Sequence, residues 1–131
     1  MSIKFPDKNE YPAYAQAYVG HFNENSNLLE ELELGLRSML DLIEPLSDEQ
    51  LLFRYEEGKW SIKEMLVHIM DAERVFLIRA FRISRNDTVK QPGFEQDDYV
   101  PYSNADNLSK EQILSEYKAI RENTIQFFNI I

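Results

Sequence analysis

The sequence predicts an all-α protein, and three observations predict it. Over three long stretches the apolar residues recur at spacings of three and four, the period of one face of a helix. Each stretch opens on a Ser or Asn with Glu or Gln three residues later, the pairing that satisfies free N–H groups at a helix start. Proline and glycine gather mainly between the stretches, at Pro6, Pro12 and Gly20, at Pro45, and at Pro92, Gly93 and Pro101.

Residues 1–24 carry Tyr11, Tyr14 and Tyr18 without a sustained period, which predicts an ordered arm laid over the helices. The first helix is expected over about 27–43. Asn27-Leu28-Leu29-Glu30 has the form of a capping box, and Leu28, Leu29, Leu32, Leu36, Met39, Leu40 and Ile43 form one stripe. Gly35 interrupts it at a cost of about 1 kcal/mol relative to alanine. Pro45 ends it, and Ser47-Asp48-Glu49-Gln50 opens a further turn or two.

The second long helix is expected over about 62–83. Ser61 caps it, Glu64 closes the box, and Trp60 and Met65 stand where a hydrophobic staple would. Its apolar arc, Leu66, Ile69, Met70, Phe76, Leu77, Ala80 and Phe81, is wide, as for an element covered on more than one side. Residues 84–108 show no period, and so long an irregular connection is uncommon. It is long enough to return along the second helix, which allows the second and third to run parallel. The third helix is expected over about 110–131, with Ser109 and Gln112 as its box and Leu108 facing Ile113.

Composition removes several function classes. A chain of 131 residues is expected to form one domain, 1–131, burying roughly two thirds of its unfolded surface. No apolar run approaches the roughly 18 residues a membrane span needs, and the N-terminus lacks a secretory pattern, so a cytoplasmic protein with no membrane partner is expected. The absence of cysteine removes disulfides, thiolate catalysis and Cys-based zinc motifs. A net charge of −9 argues against a nucleic-acid partner, which requires a cationic face. The five arginines from Arg54 to Arg85 are expected to line a solvated helix face.

Chemistry concentrates on one histidine. His68 follows Glu64 by four residues and precedes Asp71 by three, so both carboxylates stand on neighbouring helix faces. Two readings stay open from spacing alone: a half-buried histidine hydrogen-bonded to Asp71, or a metal ligand oriented by a carboxylate. His21, in the arm, is expected to be a surface histidine. Glu95, Asp97 and Asp98 lack the spacing of a cation loop and are expected to cap helix ends or pair with arginines. No Gly-x-Ser-x-Gly elbow and no glycine-rich phosphate loop occurs.

Gly58-Lys59-Trp60-Ser61-Ile62-Lys63-Glu64-Met65-Leu66-Val67-His68-Ile69-Met70-Asp71-Ala72-Glu73-Arg74-Val75-Phe76 resembles the signature of the DinB-like superfamily. Arg79-Ala80-Phe81-Arg82 and Gln91-Pro92-Gly93-Phe94-Glu95-Gln96-Asp97-Asp98-Tyr99-Val100 resemble its continuation. The resemblance implies an up-down-down-up four-helix bundle with a long crossover, often a homodimer. It also implies a divalent metal, zinc or nickel, held by one histidine on the second helix and two from a His-x-x-x-His on the last. Some such proteins activate a low-molecular-weight thiol for S-transfer, and others are described as metal-dependent hydrolases.

Carried over by position, the resemblance makes His68 the second-helix metal ligand, with Asp71 and Glu64 supporting it and Trp60 and Tyr99 lining the pocket. The other two histidines and the fourth helix have no counterpart in this sequence. Three protein ligands are usual in a catalytic metal site, so this chain alone is expected to be inactive and to hold no metal tightly. Its apolar end, Phe127-Phe128-Asn129-Ile130-Ile131, implies a covering partner, either a fourth helix or another subunit. The alternative reading is a metal-free helical module that dimerises through that open face.

Overall fold

Helices form where the sequence is periodic. The computed structural model describes residues 4–131, in which α1 (Gln16–Val19), α2 (Leu28–Ile43), α3 (Asp48–Leu51), α4 (Ile62–Ser84), α5 (Gln96–Tyr99) and α6 (Lys110–Ile130) follow one another. Three 3-10 turns complete the set, Ala13–Ala15, Val100–Tyr102 and Ala105–Asn107, and no strand forms among the described residues. Ser47, Ser61 and Ser109 each build the reciprocal box their sequences announce. Asn27 caps α2 by accepting from the N–H groups of Leu29 and Glu30, but the return bond from Glu30 to its backbone does not form.

Side-chain bridges fix the directions of the long helices. The Lys63 ammonium, near the start of α4, donates to the Leu108 carbonyl just before α6, and Glu73 meets Arg121 about as far along each helix. Helices α4 and α6 therefore run parallel, as the length of the connection allows. Lys110, at the start of α6, donates to the Glu44 and Leu46 carbonyls after the end of α2, while Arg121 reaches the Leu32 carbonyl near its beginning. Helix α2 is antiparallel to α6, and the three long helices read up, down, down.

The core lies where α6 packs between α2 and α4. Ile43 from α2, Leu66, Val67 and Met70 from α4, and Ile113 and Tyr117 from α6 are buried there, joined by Leu51 of α3. The connection of residues 84–108 is more than a strap, because Ala105 is part of this core and Val100 is buried beside it. Burial stops short of the full arc read on α4. Phe76, Phe81 and Ile83 are exposed, at 61%, 46% and 68%, together with Met65 at 47%. The arc is covered by α6 on one side and by the returning connection on another, and these four residues are left over.

Two ion pairs hold the assembly across elements. Arg121 meets Glu73 through two bonds of 2.8 and 2.9 Å, with both side chains mostly buried, and its third contact is the Leu32 carbonyl at 3.0 Å. One guanidinium thus ties α2, α4 and α6 together. Burial works against the Arg121 charge, and the Glu73 carboxylate more than offsets it, so the group stays protonated beyond its ordinary range. Gly35 has its reason here: a Cβ at that position would stand 2.9 Å from Arg121 Nη1. The helix gives up propensity at Gly35 to let the guanidinium cross.

The second pair joins α3 to α4 and α6. Buried Lys63 donates to Asp48 at 2.6 Å, and Asp48 also accepts from the Lys110 N–H at 2.8 Å. The hydrogen bond from Lys63, and next the Lys110 N–H, holds the Asp48 carboxyl below its usual value of 3.8. A depressed carboxyl contributes stability above its unfolded value and loses it as pH falls through the folded one. The contribution should therefore disappear below about pH 4, and Asp48→Asn should flatten that part of the acid-unfolding curve. Circular dichroism followed against pH checks this, and an unchanged acid limb would contradict it.

The N-terminal arm is ordered but does not use its tyrosines as cover. Tyr14 and Tyr18 are exposed, and Tyr11 donates its hydroxyl to Gln16 Oε1 at 2.8 Å. Phe5 and Pro6 instead line a cavity whose other walls include Leu28 and Leu29 of α2 and Phe128 of α6. Phe128 meets Phe127 edge-on at 5.2 Å, both half-buried, while Ile130 is exposed. The arginines of residues 54–85 differ from the expected solvated face, since Arg54, Arg74 and Arg82 are each engaged by carboxylates.

Candidate metal-ligand site around His68

His68 sits two turns into α4, on a helix whose start is pinned by the Ser61–Glu64 box. The imidazole is half-buried and lies against the Trp60 ring at 5.1 Å between centroids, with the planes 46° apart. Trp60 belongs to the segment entering the helix and forms one wall beside the imidazole. Among the described residues no protein group hydrogen-bonds either ring nitrogen of His68, and neither nitrogen is sealed from solvent. An imidazole held against an indole, with its nitrogens open to solvent, can give a lone pair to an incoming ion.

The carboxylates expected to support it are engaged elsewhere. Glu64 accepts from the Ser61 N–H at 2.8 Å and from Arg54 Nη1 at 2.5 Å. Arg54 in turn donates to Asp106, which also accepts the Ser61 hydroxyl, so four side chains close the entry to α4. The Glu64 hydrogen bond is the largest influence on Arg54, whose pKa is raised. Asp71 accepts from Arg74 at 3.2 Å, and Arg74 carries on to Glu116 of α6. Neither Asp71 nor Glu64 bonds to His68 among the described residues. Spacing puts the carboxylates one turn away, but a guanidinium within reach offers a stronger, charge-assisted partner than a neutral imidazole.

Tyr99 lies in clefts that His68 does not line, one with Val75 and Arg79 and one with Val67 and Asp71. Its ring packs on Phe94 at 5.5 Å. Glu95, Asp97 and Asp98 are exposed and pair with no arginine among the described residues; Glu95 stands at the N-cap of α5 without a side-chain cap bond, and Asp97 and Asp98 lie in its first turn. His21 is exposed in the arm, as expected.

A family model for the DinB superfamily matches residues 31–129, about three quarters of the chain and all three long helices but for the first turn of α2 and the last residue of α6. The chain belongs to the DinB superfamily. No curated protein and no solved structure matches it. No helix among the described residues is long and apolar enough to cross a membrane. Superfamily membership makes the fit of a metal a direct question. Among the described residues no three His, Asp or Glu side chains gather as a metal site. His68 is a single donor there, and the described residues, 4–131, do not by themselves fit the ion.

Proposed function

We propose that this DinB-superfamily chain contributes His68 as one ligand of a divalent zinc or nickel centre whose other donors lie outside residues 1–131. The observation that supports this reading is the state of His68: its ring lies tilted against that of Trp60, and neither Glu64, Asp71 nor any other protein group among the described residues hydrogen-bonds its nitrogens. The complete protein is then a metal-dependent hydrolase or thiol S-transferase, with a low-molecular-weight thiol or another small molecule as substrate.

A chelator-competition titration with zinc tests it in two arms. Residues 1–131 alone should bind zinc weakly and release it to a mild chelator, because one imidazole gives little affinity. The protein purified from its host, its mass compared with the 15.5 kDa of this chain, should bind zinc tightly and lose at least about tenfold in affinity on His68→Ala. Equal affinity with and without His68 would overturn the assignment.

A second reading is favoured by a separate observation. Met65, Phe76 and Ile83 recur along one face of α4 and are all exposed. As a metal-free module, the chain would cover this face with a second copy of itself, giving an acidic homodimer in which α4 lies at the centre of the contact. Phe76→Glu should then convert a dimer to a monomer in analytical ultracentrifugation. Wild-type chain that stays monomeric at about 100 μM would exclude a dimer of micromolar affinity.

A further inference from the structure

Beyond His68, α4 carries a second feature that the metal reading does not use. Eleven residues further on, about 16 Å along the helix, Arg79 forms part of a cleft of about 320 Å³. The connection folds back against α4 there, and Val75, Ile78, Pro92, Phe94 and Tyr99 make the walls largely apolar. Two other arginines reach this cleft, and each is already neutralised: Arg74 by Asp71 and Glu116, and Arg82 by Asp87 at 2.6 Å.

Arg79 is different. Its Nη2 donates to the Pro92 carbonyl at 2.8 Å, and its guanidinium stands 5.7 Å from the centroid of the Phe76 ring. Its Nε is buried with no hydrogen-bond partner, and no carboxylate forms an ion pair with it among the described residues. Leaving a half-buried cation uncompensated costs stability. The omission is specific, because the chain has 23 acidic residues and three of them, Glu95, Asp97 and Asp98, stand within five residues of Phe94 yet face solvent. The Tyr99 hydroxyl, on the wall of the same cleft, likewise has no protein partner among the described residues.

We infer that this cleft binds a small organic carboxylate with an apolar body, its carboxylate on Arg79 and its body against Val75, Ile78 and Phe94. One uncompensated guanidinium matches one negative charge. The apolar walls favour a carbon skeleton over a bare inorganic ion, and a net charge of −9 repels a dianion more than a monoanion. The inference stands apart from the His68 assignment, and either can fail without the other.

The test is a titration of the intact chain with phenylacetate, followed by amide chemical shifts in NMR, beside the neutral amide phenylacetamide and inorganic phosphate. Saturable shifts should appear within residues 74–82 and 91–99, with phenylacetamide at least about tenfold weaker and phosphate weaker still. Arg79→Gln should weaken phenylacetate about tenfold, Arg82→Gln much less, and His68→Ala not at all. The inference is overturned if no saturable shift appears, if acid and amide bind alike, if phosphate binds as tightly, or if Arg79→Gln keeps full affinity. The comparison of acid with amide uses only the wild-type chain, so it decides the matter even where a variant does not fold.

Discussion

Replacing Glu73 with alanine should lower the unfolding free energy by about 3–5 kcal/mol, because it strands the Arg121 guanidinium in the interior. Both side chains are mostly buried, at 14% and 10% exposure, and the pair is bidentate. Arg121→Ala should cost a similar amount, since it leaves the Glu73 charge unpaired and takes the donor away from the Leu32 carbonyl. The double change Glu73→Met with Arg121→Met should recover much of that loss, because burying apolar groups of similar volume avoids the desolvation of two charges. Urea unfolding of the two single variants and the double variant forms the required cycle. If the single losses simply add in the double variant, the pair is not the linchpin its geometry indicates.

Met70→Ala should cost about 2–5 kcal/mol by a different route, the cavity left where a fully buried side chain has been removed. Met70 stands two residues after His68 but points into the core with Ile113 and Tyr117, whereas the imidazole lies out against Trp60. A thermal melt should show a large drop in midpoint. Zinc binding by the folded variant should be no weaker than wild type at the same temperature. A stability loss under 1 kcal/mol would mean that the core around α4 collapses to fill the space.

What the sequence made legible was local. Ser47, Ser61 and Ser109 read correctly as helix starts because a cap and its partner are three residues apart and need no tertiary information. Asn27 was half legible: the cap forms, but Glu30 does not complete the box. The long connection read correctly as long enough for a return path, and its contribution of Val100 and Ala105 to the buried interior did not show, since single apolar residues in an aperiodic stretch carry no signal.

The surroundings of His68 were less legible for the same reason. Spacing places Glu64 and Asp71 one turn away, and only the fold brings Arg54 to one, while Arg74 claims the other. Trp60, read from the sequence as a staple, proved to be the neighbour of the imidazole. Arg79 carried no warning at all. Its lack of a carboxylate partner is a property of where the connection returns, and no window of residues around it contains that fact.

The Arg121 clamp also has a consequence in time. Its bond to Leu32 joins groups 89 residues apart and its bonds to Glu73 join groups 48 apart, so both close across long stretches of chain. Contacts of that kind are expected to close after the transition state, which a chevron plot of Glu73→Ala checks through its two limbs. Their loss therefore shows mainly as faster unfolding, with refolding little changed. The clamp is a latch on the assembled bundle, and it sets how long the native state lasts once reached.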